Sequence, residues 1–146
     1  MKVLVLNGPN LSRLGQREPE IYGRHTLEDV EQLLLERGKA LGCIIRFLQS
    51  NHEGQLIDWI ETEGQQADAI IINPGALAHS SYALADALRG SGKLVVEVHV
   101  SNVHRREAFR HRLITAGAAI GVITGLGIDG YALALEYLNR IDKARV

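Results

Sequence analysis

Five short apolar segments recur along the chain, each separated from the next by a stretch in which apolar residues fall at helical spacing. The segments are rich in Val, Ile and Leu and contain few polar residues. This pattern is typical of parallel strands that are buried on both faces of a sheet. We predict strands at Lys2–Leu6, Cys43–Leu48, Ala69–Ile72, Leu94–Val98 and Ala119–Ile123.

The stretches after these strands predict five helices. The first begins at Thr26, an N-cap with Asp29 in the position of a capping box, and ends at Gly42. The others are predicted over Gly54–Gln66, from Ser80 or Ser81 to about Gly90, over His104–Thr115, and after Asp129, which is expected to cap the last helix.

Strand–helix units that follow one another five times imply a parallel sheet with helices on both faces. The length of 146 residues suits one domain, which is expected to span residues 1–146. We therefore predict an α/β fold, a flavodoxin-like three-layer sandwich with a five-stranded parallel sheet in the order 2-1-3-4-5.

Polar residues follow every predicted strand. Because the carboxyl ends of parallel strands meet at one edge of a sheet, these side chains are expected to lie close together. They are Asn7; Ser50, Asn51 and His52; Asn73 and His79; His99, Ser101 and Asn102; and Thr124. Arg17, Arg106 and Arg110 add positive charge, the last two on one face of the predicted fourth helix. The combination favours a carboxylate ligand that bears hydroxyls or a carbonyl.

The loop after the first strand is longer than a connection needs and carries Asn10, Arg13, Arg17 and Tyr22. Two interpretations are open for Tyr22: a general base, or a surface tyrosine that closes the loop. A phenol ionises only at high pH, so the first interpretation requires a cation that stabilises the tyrosinate. Arg17 and Arg13 are the candidates in the same loop.

His99 ends the fourth predicted strand, and Glu97 lies two residues earlier on the same face. A carboxylate there is suited to orienting the imidazole, which makes His99 a candidate general acid. The alternative is a His99 that satisfies a loop carbonyl beside a buried Glu97 that is paired with some cation.

Other motifs have plainer explanations. The serines of AHSS are expected to cap a helix, because no GxSxG motif accompanies them. The GxGxxG pattern at Gly125–Gly130 has only one helix after it, so we interpret it as a tight turn and a helix start. No HExxH spacing or carboxylate cluster indicates a metal. Asp86 lies more than a turn into the third helix, either exposed or directed into a neighbouring subunit.

Composition excludes several classes. A net charge of −1 gives no general attraction for nucleic acid, and two Phe and one Trp argue against a base-stacking surface. No apolar window approaches ~18 residues, so no membrane span is expected. The first residues are expected to form a strand rather than a signal peptide, and Cys43 to be a buried reduced thiol. A cytoplasmic protein is the default expectation.

Seven segments occur in register over nearly the whole chain: NGPNL, LGQREPEIYG, SNHEG, NPGALAHSS, EVHVSN, RREAFR and GLGIDGY. Together they closely resemble type II 3-dehydroquinate dehydratase. The resemblance implies a flavodoxin-like subunit that reversibly removes water from 3-dehydroquinate to give 3-dehydroshikimate in the shikimate pathway. It also implies no metal or organic cofactor, and assembly of trimers into a homododecamer.

The resemblance implies a chemical role for five residues. Tyr22 would be the base that removes the C2 proton, held as tyrosinate by Arg17. Asn10 would position the enolate through an ordered water. His99, oriented by Glu97, would protonate the departing C1 hydroxyl. The loop that carries Arg17 and Tyr22 would act as a lid that excludes water.

It also implies a set of substrate-binding groups. They are the side chains of Asn73, His79 and Arg110, the backbone amides of Val100 and Ser101, and Asp86 from an adjacent subunit of a trimer. Two departures from the family pattern stand out: Ser12 and Arg13 replace a common Asn and an apolar residue, and Arg112–Ile114 replaces a usual Ser-Tyr pair.

Two rival functions come from other classes. A flavodoxin-like module that binds a flavin or nucleotide without catalysis is favoured by GLGIDG. An inactive, structural homo-oligomer descended from the enzyme is the second. Retention of Arg17, Tyr22 and His99 argues against it.

Overall fold

The computed structural model describes residues 1–145, which form a parallel sheet with the strand order β2-β1-β3-β4-β5. All four strand pairings are parallel, and Leu6 of β1 lies between Leu48 of β2 and Ile72 of β3. The predicted fold class and strand order are therefore confirmed. The strands are β1 Lys2–Asn7, β2 Ile44–Gln49, β3 Ala69–Asn73, β4 Leu94–His99 and β5 Gly121–Thr124.

In residues 1–145, four α-helices and six short 3₁₀ turns lie between the strands, and a fifth α-helix follows β5. The helices are α1 Pro19–Tyr22, α2 Leu27–Leu41, α3 Glu53–Thr62, α4 Tyr82–Gly90 and α5 Asp129–Ala144. The predicted capping box is present at the start of α2: the Thr26 hydroxyl accepts from the Asp29 amide, and the Asp29 carboxylate accepts from the Thr26 amide. In residues 1–145, no helix is both long and apolar enough to cross a bilayer.

Apolar side chains from the two faces of the sheet form two separate cores. On one face, Val3, Val5 and Ile71 pack against apolar residues of α2 and α5. On the other face, Leu4 and Ile70 pack with apolar residues of α3 and α4. Successive residues of a strand point to opposite faces, so a continuous apolar run in β1 and β3 serves both cores at once.

The edge strands differ from the prediction. Ile44 in β2 is 64% exposed and Val122 in β5 is 38% exposed, because each strand has a neighbour on one side only. Burial on both faces therefore holds for β1, β3 and β4 but is wrong for the edges. The bounds shift as well: β2 begins at Ile44 rather than Cys43, and β5 spans Gly121–Thr124 rather than Ala119–Ile123.

The predicted helix over His104–Thr115 is wrong. Arg106 is extended, with φ −115° and ψ −168°, and Glu107 follows with φ −55° and ψ 147°. These two residues break the segment into 3₁₀ turns at Val103–Arg105, Ala108–His111 and Thr115–Ala118. The His111 ring donates to the Arg106 carbonyl at 3.1 Å, which stabilises the break. Arg106 and Arg110 therefore do not share a helix face.

The predicted cap of the last helix is also wrong. Asp129 is the first residue of α5, and Ile128 occupies the N-cap position without a side-chain hydrogen bond. An acidic residue in the first turn still interacts favourably with the positive end of the helix dipole. Ser81, one of the two serines proposed as a cap, does cap α4 by accepting from the Leu84 amide at 2.9 Å.

The loops after β1 and β3 approach each other closely at Gly8. Its amide donates to the Asn73 carbonyl at 2.8 Å, and a Cβ at this position would lie 2.7 Å from the Pro74 carbonyl carbon. We expect Gly8→Ala to destabilise the fold by about 1–3 kcal/mol, the usual cost of overpacking against rigid backbone. Urea denaturation followed by circular dichroism measures the change.

Gly54→Ala is the matched control. A Cβ at Gly54 in α3 would meet no atom within 4 Å, and alanine favours helix over glycine. This variant is expected to be as stable as the parent or slightly more stable. Equal denaturation midpoints for the two alanine variants would contradict the close approach at Gly8.

Candidate active site

A cleft lies at the carboxyl edge of the sheet, where the strand order reverses between β1 and β3. Ligands of open α/β sheets bind in the crevice at the point where the strand order reverses. The empty volume is about 510 Å³ with the solvent at its mouth included. The loops after β1, β3 and β4 line it with Pro9, Asn10, Leu11, Arg17, Tyr22, Asn73, Gly75, Ala76, His79, His99, Val100, Ser101, Val103, Arg106 and Arg110.

Most of the residues singled out in the sequence meet in this cleft. Glu97 lies behind the wall and contacts the cleft residue His99. Asp86 is not part of the cleft of its own chain. The residues that do line it are Asn10, Arg17, Tyr22, Asn73, His79, His99, Val100, Ser101, Arg106 and Arg110.

Tyr22 is half-buried, and its hydroxyl is held by Arg106 rather than by an arginine of its own loop. The Arg106 Nη1 group donates to the Tyr22 hydroxyl oxygen at 2.6 Å and also to Ser101 Oγ at 3.2 Å. The Arg106 guanidinium carbon lies 4.8 Å from the Tyr22 ring centroid. This environment does not match that of a surface tyrosine.

The charge of Arg106 is little neutralised. Its side chain is 9% exposed, and the nearest carboxylate oxygen, on Glu107, is 3.9 Å away. In residues 1–145, Arg106 Nε is a buried nitrogen without a hydrogen-bond partner. Arg106 therefore presents a largely buried guanidinium to the Tyr22 hydroxyl oxygen.

The loop arginines proposed as partners of Tyr22 lie farther from its hydroxyl. The Arg17 guanidinium carbon is 5.3 Å from the ring centroid, and its Nε lies 3.6 Å from Glu18. Arg13 is exposed in the 3₁₀ turn Leu11–Arg13 and does not line the cleft. Arg17 thus faces the ring, whereas Arg106 holds the hydroxyl.

The same loop contains strained backbone. Asn10 has φ 70° and Glu18 has φ 38°, and these are the non-glycine residues with positive φ in the described part of the chain. The Asn10 amide donates to Asn51 Oδ1 at 3.0 Å, which holds the turn. Such conformations collect at ligand sites, where the surroundings impose them.

His99 and Glu97 form a buried pair. The imidazole Nε2 lies 2.8 Å from Glu97 Oε2, and the two side chains are 6% and 0% exposed. A carboxylate only accepts, so Nε2 carries the proton and Nδ1 is the ring nitrogen left for a ligand. Of the two interpretations left open, the geometry fits a Glu97 that orients His99. The other carboxylate oxygen of Glu97 accepts from the Thr115 hydroxyl.

His79 stacks against His99, with ring centroids 6.3 Å apart and an interplanar angle of 23°. Its Nδ1 donates to the Arg112 carbonyl at 2.9 Å, which leaves Nε2 as an acceptor. Burial lowers the pKa of His79, because the charged form loses its hydration, and the carbonyl of Arg112 only partly opposes this effect. A neutral imidazole that accepts a hydrogen bond suits a hydroxyl ligand.

Asn73 is fixed by a buried network. Its Nδ2 donates to the Tyr131 hydroxyl at 3.0 Å, and its Oδ1 accepts from the Gly75 amide at 3.1 Å. The Tyr131 hydroxyl in turn donates to Asn7 Oδ1 at 2.7 Å. Burial raises the pKa of Tyr131, so this phenol stays a donor. One Nδ2 proton of Asn73 remains for a ligand.

Arg110 lies at the rim of the cleft and is 14% exposed. Its Nε donates to Glu107 Oε2 at 3.0 Å, and this bond lowers the pKa of Glu107. Glu107 is 55% exposed, so the pair holds Arg110 in place without filling the cleft. The remaining guanidinium donors suit a carboxylate.

Asp86 is 81% exposed on α4 and lies 3.6 Å from Arg89. It borders a groove between α3 and α4 with an empty volume of about 1540 Å³, larger than the cleft. This groove is broad and open, and it lacks the convergent imidazole, phenol and guanidinium groups of the cleft. We therefore place the chemistry in the smaller cavity.

The GxGxxG segment shapes the end of the sheet. Gly125 has φ 88°, and a Cβ there would lie 2.8 Å from the Asn102 Cβ. Its amide donates to the His99 carbonyl at 3.1 Å, directly below the site. The interpretation of this motif as a tight turn before α5 is confirmed.

The two departures from the family pattern lie outside the cleft. Ser12 and Arg13 are exposed. The second departure anchors the segment before Thr115: the Arg112 carbonyl accepts from His79, and the Ile114 amide donates to the Ala78 carbonyl at 2.7 Å. Within residues 1–145, no group of three or more His, Cys, Asp or Glu is placed to hold a metal ion.

Strand order and cleft together define a flavodoxin-like α/β protein whose cleft, at the carboxyl edge of the sheet, is lined by imidazole, phenol and guanidinium groups. Comparison with known proteins identifies the family within this class. The family model described as Dehydroquinase class II matches residues 1–139. A protein of Corynebacterium pseudotuberculosis (strain C231) named 3-dehydroquinate dehydratase is 56% identical over 140 residues, which cover 94% of this chain and 96% of that protein.

Solved structures agree with this match. The type II dehydroquinase from Butyrivibrio crossotus DSM 2876 has a TM-score of 0.92 and 45% identity, covering 95% of this chain and 97% of that one. The type II dehydroquinase from Propionibacterium acnes has a TM-score of 0.91 and 42% identity, with coverage of 95% and 96%. The chain therefore belongs to the class II dehydroquinase family of enzymes.

Proposed function

We propose that this enzyme catalyses the reversible dehydration of 3-dehydroquinate to 3-dehydroshikimate, a lyase step of the shikimate pathway, by anti elimination through an enolate. The observation that carries the proposal is the Tyr22 hydroxyl held at 2.6 Å by the buried guanidinium of Arg106, in the cleft that also contains His99. Loss of water beside a ketone requires a base, an acid and donors for an enolate oxygen.

Tyr22 is the base in this proposal. Arg106 donates to the phenolate oxygen, and Arg17 lies over the ring, so two cations favour the ionised form. The phenolate removes the C2 proton, which the adjacent ketone makes acidic, and the electron pair moves to the ketone oxygen. Asn10, at the mouth of the cleft, positions the enolate through a water.

His99 is the acid. Glu97 accepts from Nε2 and stabilises the imidazolium, and Nδ1 delivers a proton to the C1 hydroxyl as the C1–O bond breaks. Water leaves, and the enolate electrons form the double bond between C1 and C2. Tyr22, His99 and the ketone account for every proton and electron pair in these steps, so the route needs no metal, flavin or nicotinamide.

The remaining cleft residues bind the substrate. The Val100 and Ser101 amides follow β4 and hold the carboxylate, whereas Asn73, His79 and Arg110 bind hydroxyls and the carboxylate at the rim. The segment from Asn10 to Tyr22 acts as a lid that closes over the bound ring.

Trimers that build a homododecamer are part of the proposal. Asp86 is exposed on α4 and does not line the cleft of its own chain, so it is available to complete the site of an adjacent subunit. We also propose one catalytic domain over residues 1–146, since both cores pack on a single sheet, and a cytoplasmic location.

A direct assay tests the reaction. Incubation of the purified chain with 3-dehydroquinate is expected to produce a conjugated enone, seen as rising ultraviolet absorbance, at nanomolar to micromolar enzyme. Mass spectrometry of the product should show the loss of one water. No absorbance change at micromolar enzyme, with substrate still intact, would contradict the proposal. Binding of a flavin or a nicotinamide nucleotide instead would favour the rival module.

A further inference from the structure

Thr115 contacts the acid pair from a part of the chain with no assigned role. Its side chain is completely buried, and its hydroxyl donates to Glu97 Oε1. The other oxygen of this carboxylate accepts from His99. In the part of the chain that the structure describes, these two donors are the side-chain partners of the Glu97 carboxylate, and each serves one oxygen.

The position of the Thr115 hydroxyl is set by neighbouring backbone rather than by the cleft. Thr115 begins the 3₁₀ turn Thr115–Ala118, and the Ile114 amide before it donates to the Ala78 carbonyl at 2.7 Å. The hydroxyl is therefore held against the buried end of β4 whether or not a ligand is bound.

We propose that Thr115 is a positioning residue for the acid step: it locks the Glu97 carboxylate so that its second oxygen faces His99. The inference rests on the proposed function, because it gives a role only in a reaction that uses His99 as an acid. Thr115 does not line the cleft, so it acts through Glu97.

Loss of the Thr115 hydroxyl is expected to have a large effect on the Glu97 carboxylate. A fully buried carboxylate oxygen that loses its donor is destabilised, since no water replaces the hydrogen bond. Glu97 then rotates or takes up a proton, and in either case the imidazolium of His99 loses its counter-charge. The other charged or titratable groups that line the cleft with His99 are His79, which stacks on its ring, Tyr22, Arg17, Arg106 and Arg110. None of them replaces a carboxylate.

Thr115→Val removes the hydroxyl and keeps the volume, and Thr115→Ser keeps the hydroxyl. We expect the valine variant to lose about 10- to 100-fold in kcat with little change in KM, and the serine variant to stay within about threefold of the parent. Thr62→Val, at the exposed end of α3, is the matched control and is expected to be unaffected.

Two further readouts separate positioning from a merely structural role. The alkaline limb of the kcat profile is expected to move to lower pH in the valine variant, because the carboxylate beside His99 is no longer held in place. In D₂O, the ratio of deuterium exchange at C2 of 3-dehydroquinate to elimination should rise at least tenfold, because only the acid step is impaired.

If Thr115→Val folds poorly, Thr115→Ala is measured instead. The exchange ratio is a fair readout for either variant, because it does not depend on the fraction of enzyme that is folded. An unchanged ratio together with an unshifted pH profile would overturn the inference. So would a serine variant as impaired as the valine variant while folded. Failure of the parent enzyme to eliminate water would instead overturn the proposed function.

Discussion

Replacement of Tyr22 by phenylalanine is expected to lower kcat by about 10²- to 10⁴-fold, the range for loss of a positioned general base. The variant removes the oxygen that Arg106 holds at 2.6 Å and keeps the ring that both guanidinium groups contact. No other phenol lines the cleft in residues 1–145, so no group replaces the base. Steady-state formation of the enone measures the loss.

The same variant should also stop deuterium exchange at C2, because exchange requires the base even when elimination fails. Tyr137→Phe is the matched control, since Tyr137 is 43% exposed on α5 and lies outside the cleft. Tyr22→Phe is expected to keep the thermal midpoint of the parent and its protection by substrate. A Tyr22→Phe enzyme with unchanged kcat would eliminate tyrosine as the base.

Local pattern was sufficient to predict most of the fold. The central strands β1 and β3 are continuous apolar runs that serve two cores, and such runs are visible in one sequence. The edges were harder, because exposure of Ile44 and Val122 depends on which strands lack a neighbour. Sheet order is a tertiary property, and no residue of β2 or β5 encodes it alone.

The segment after β4 shows where periodicity misleads. Arg106 and Arg110 have helical spacing, and a helix would satisfy the backbone. The extended conformation of Arg106 instead directs its guanidinium toward Tyr22, 84 residues away along the chain. Contacts between buried charged and polar groups outweigh local propensity here, and only the folded chain brings these groups together.

The candidate site was predictable as a set of residues but not as a set of pairs. Every polar strand end lies at one edge by the rule for parallel sheets, so His99, Asn73 and the loop of Tyr22 were expected to meet. Which cation holds the phenol, and which donor holds Glu97, are set by side-chain contacts across the fold. Arg106 appeared in the sequence only as added charge, and Thr115 only as the end of a helix.

His99→Ala is expected to slow elimination by about 10²- to 10⁴-fold while deuterium exchange at C2 continues. Tyr22 and Arg106 remain in place, so the enolate still forms. The C1 hydroxyl now lacks a proton donor, so the enolate is reprotonated at C2 more often than it loses water. Added imidazole should restore part of the rate, because the lost ring leaves space beside Glu97.

His104→Ala is the matched control, since His104 is exposed in the segment that follows β4 and does not line the cleft. His99→Gln is informative too. Its amide N–H is able to donate to Glu97 but is not acidic enough to transfer its proton, so a stable yet slow variant is expected. The role of His99 would be rejected if exchange and elimination were lost together, as for Tyr22→Phe, in a variant that still folds. An acid and a base on separate side chains must give different exchange signatures, and this difference distinguishes a stepwise enolate route from a cleft that only binds the ring.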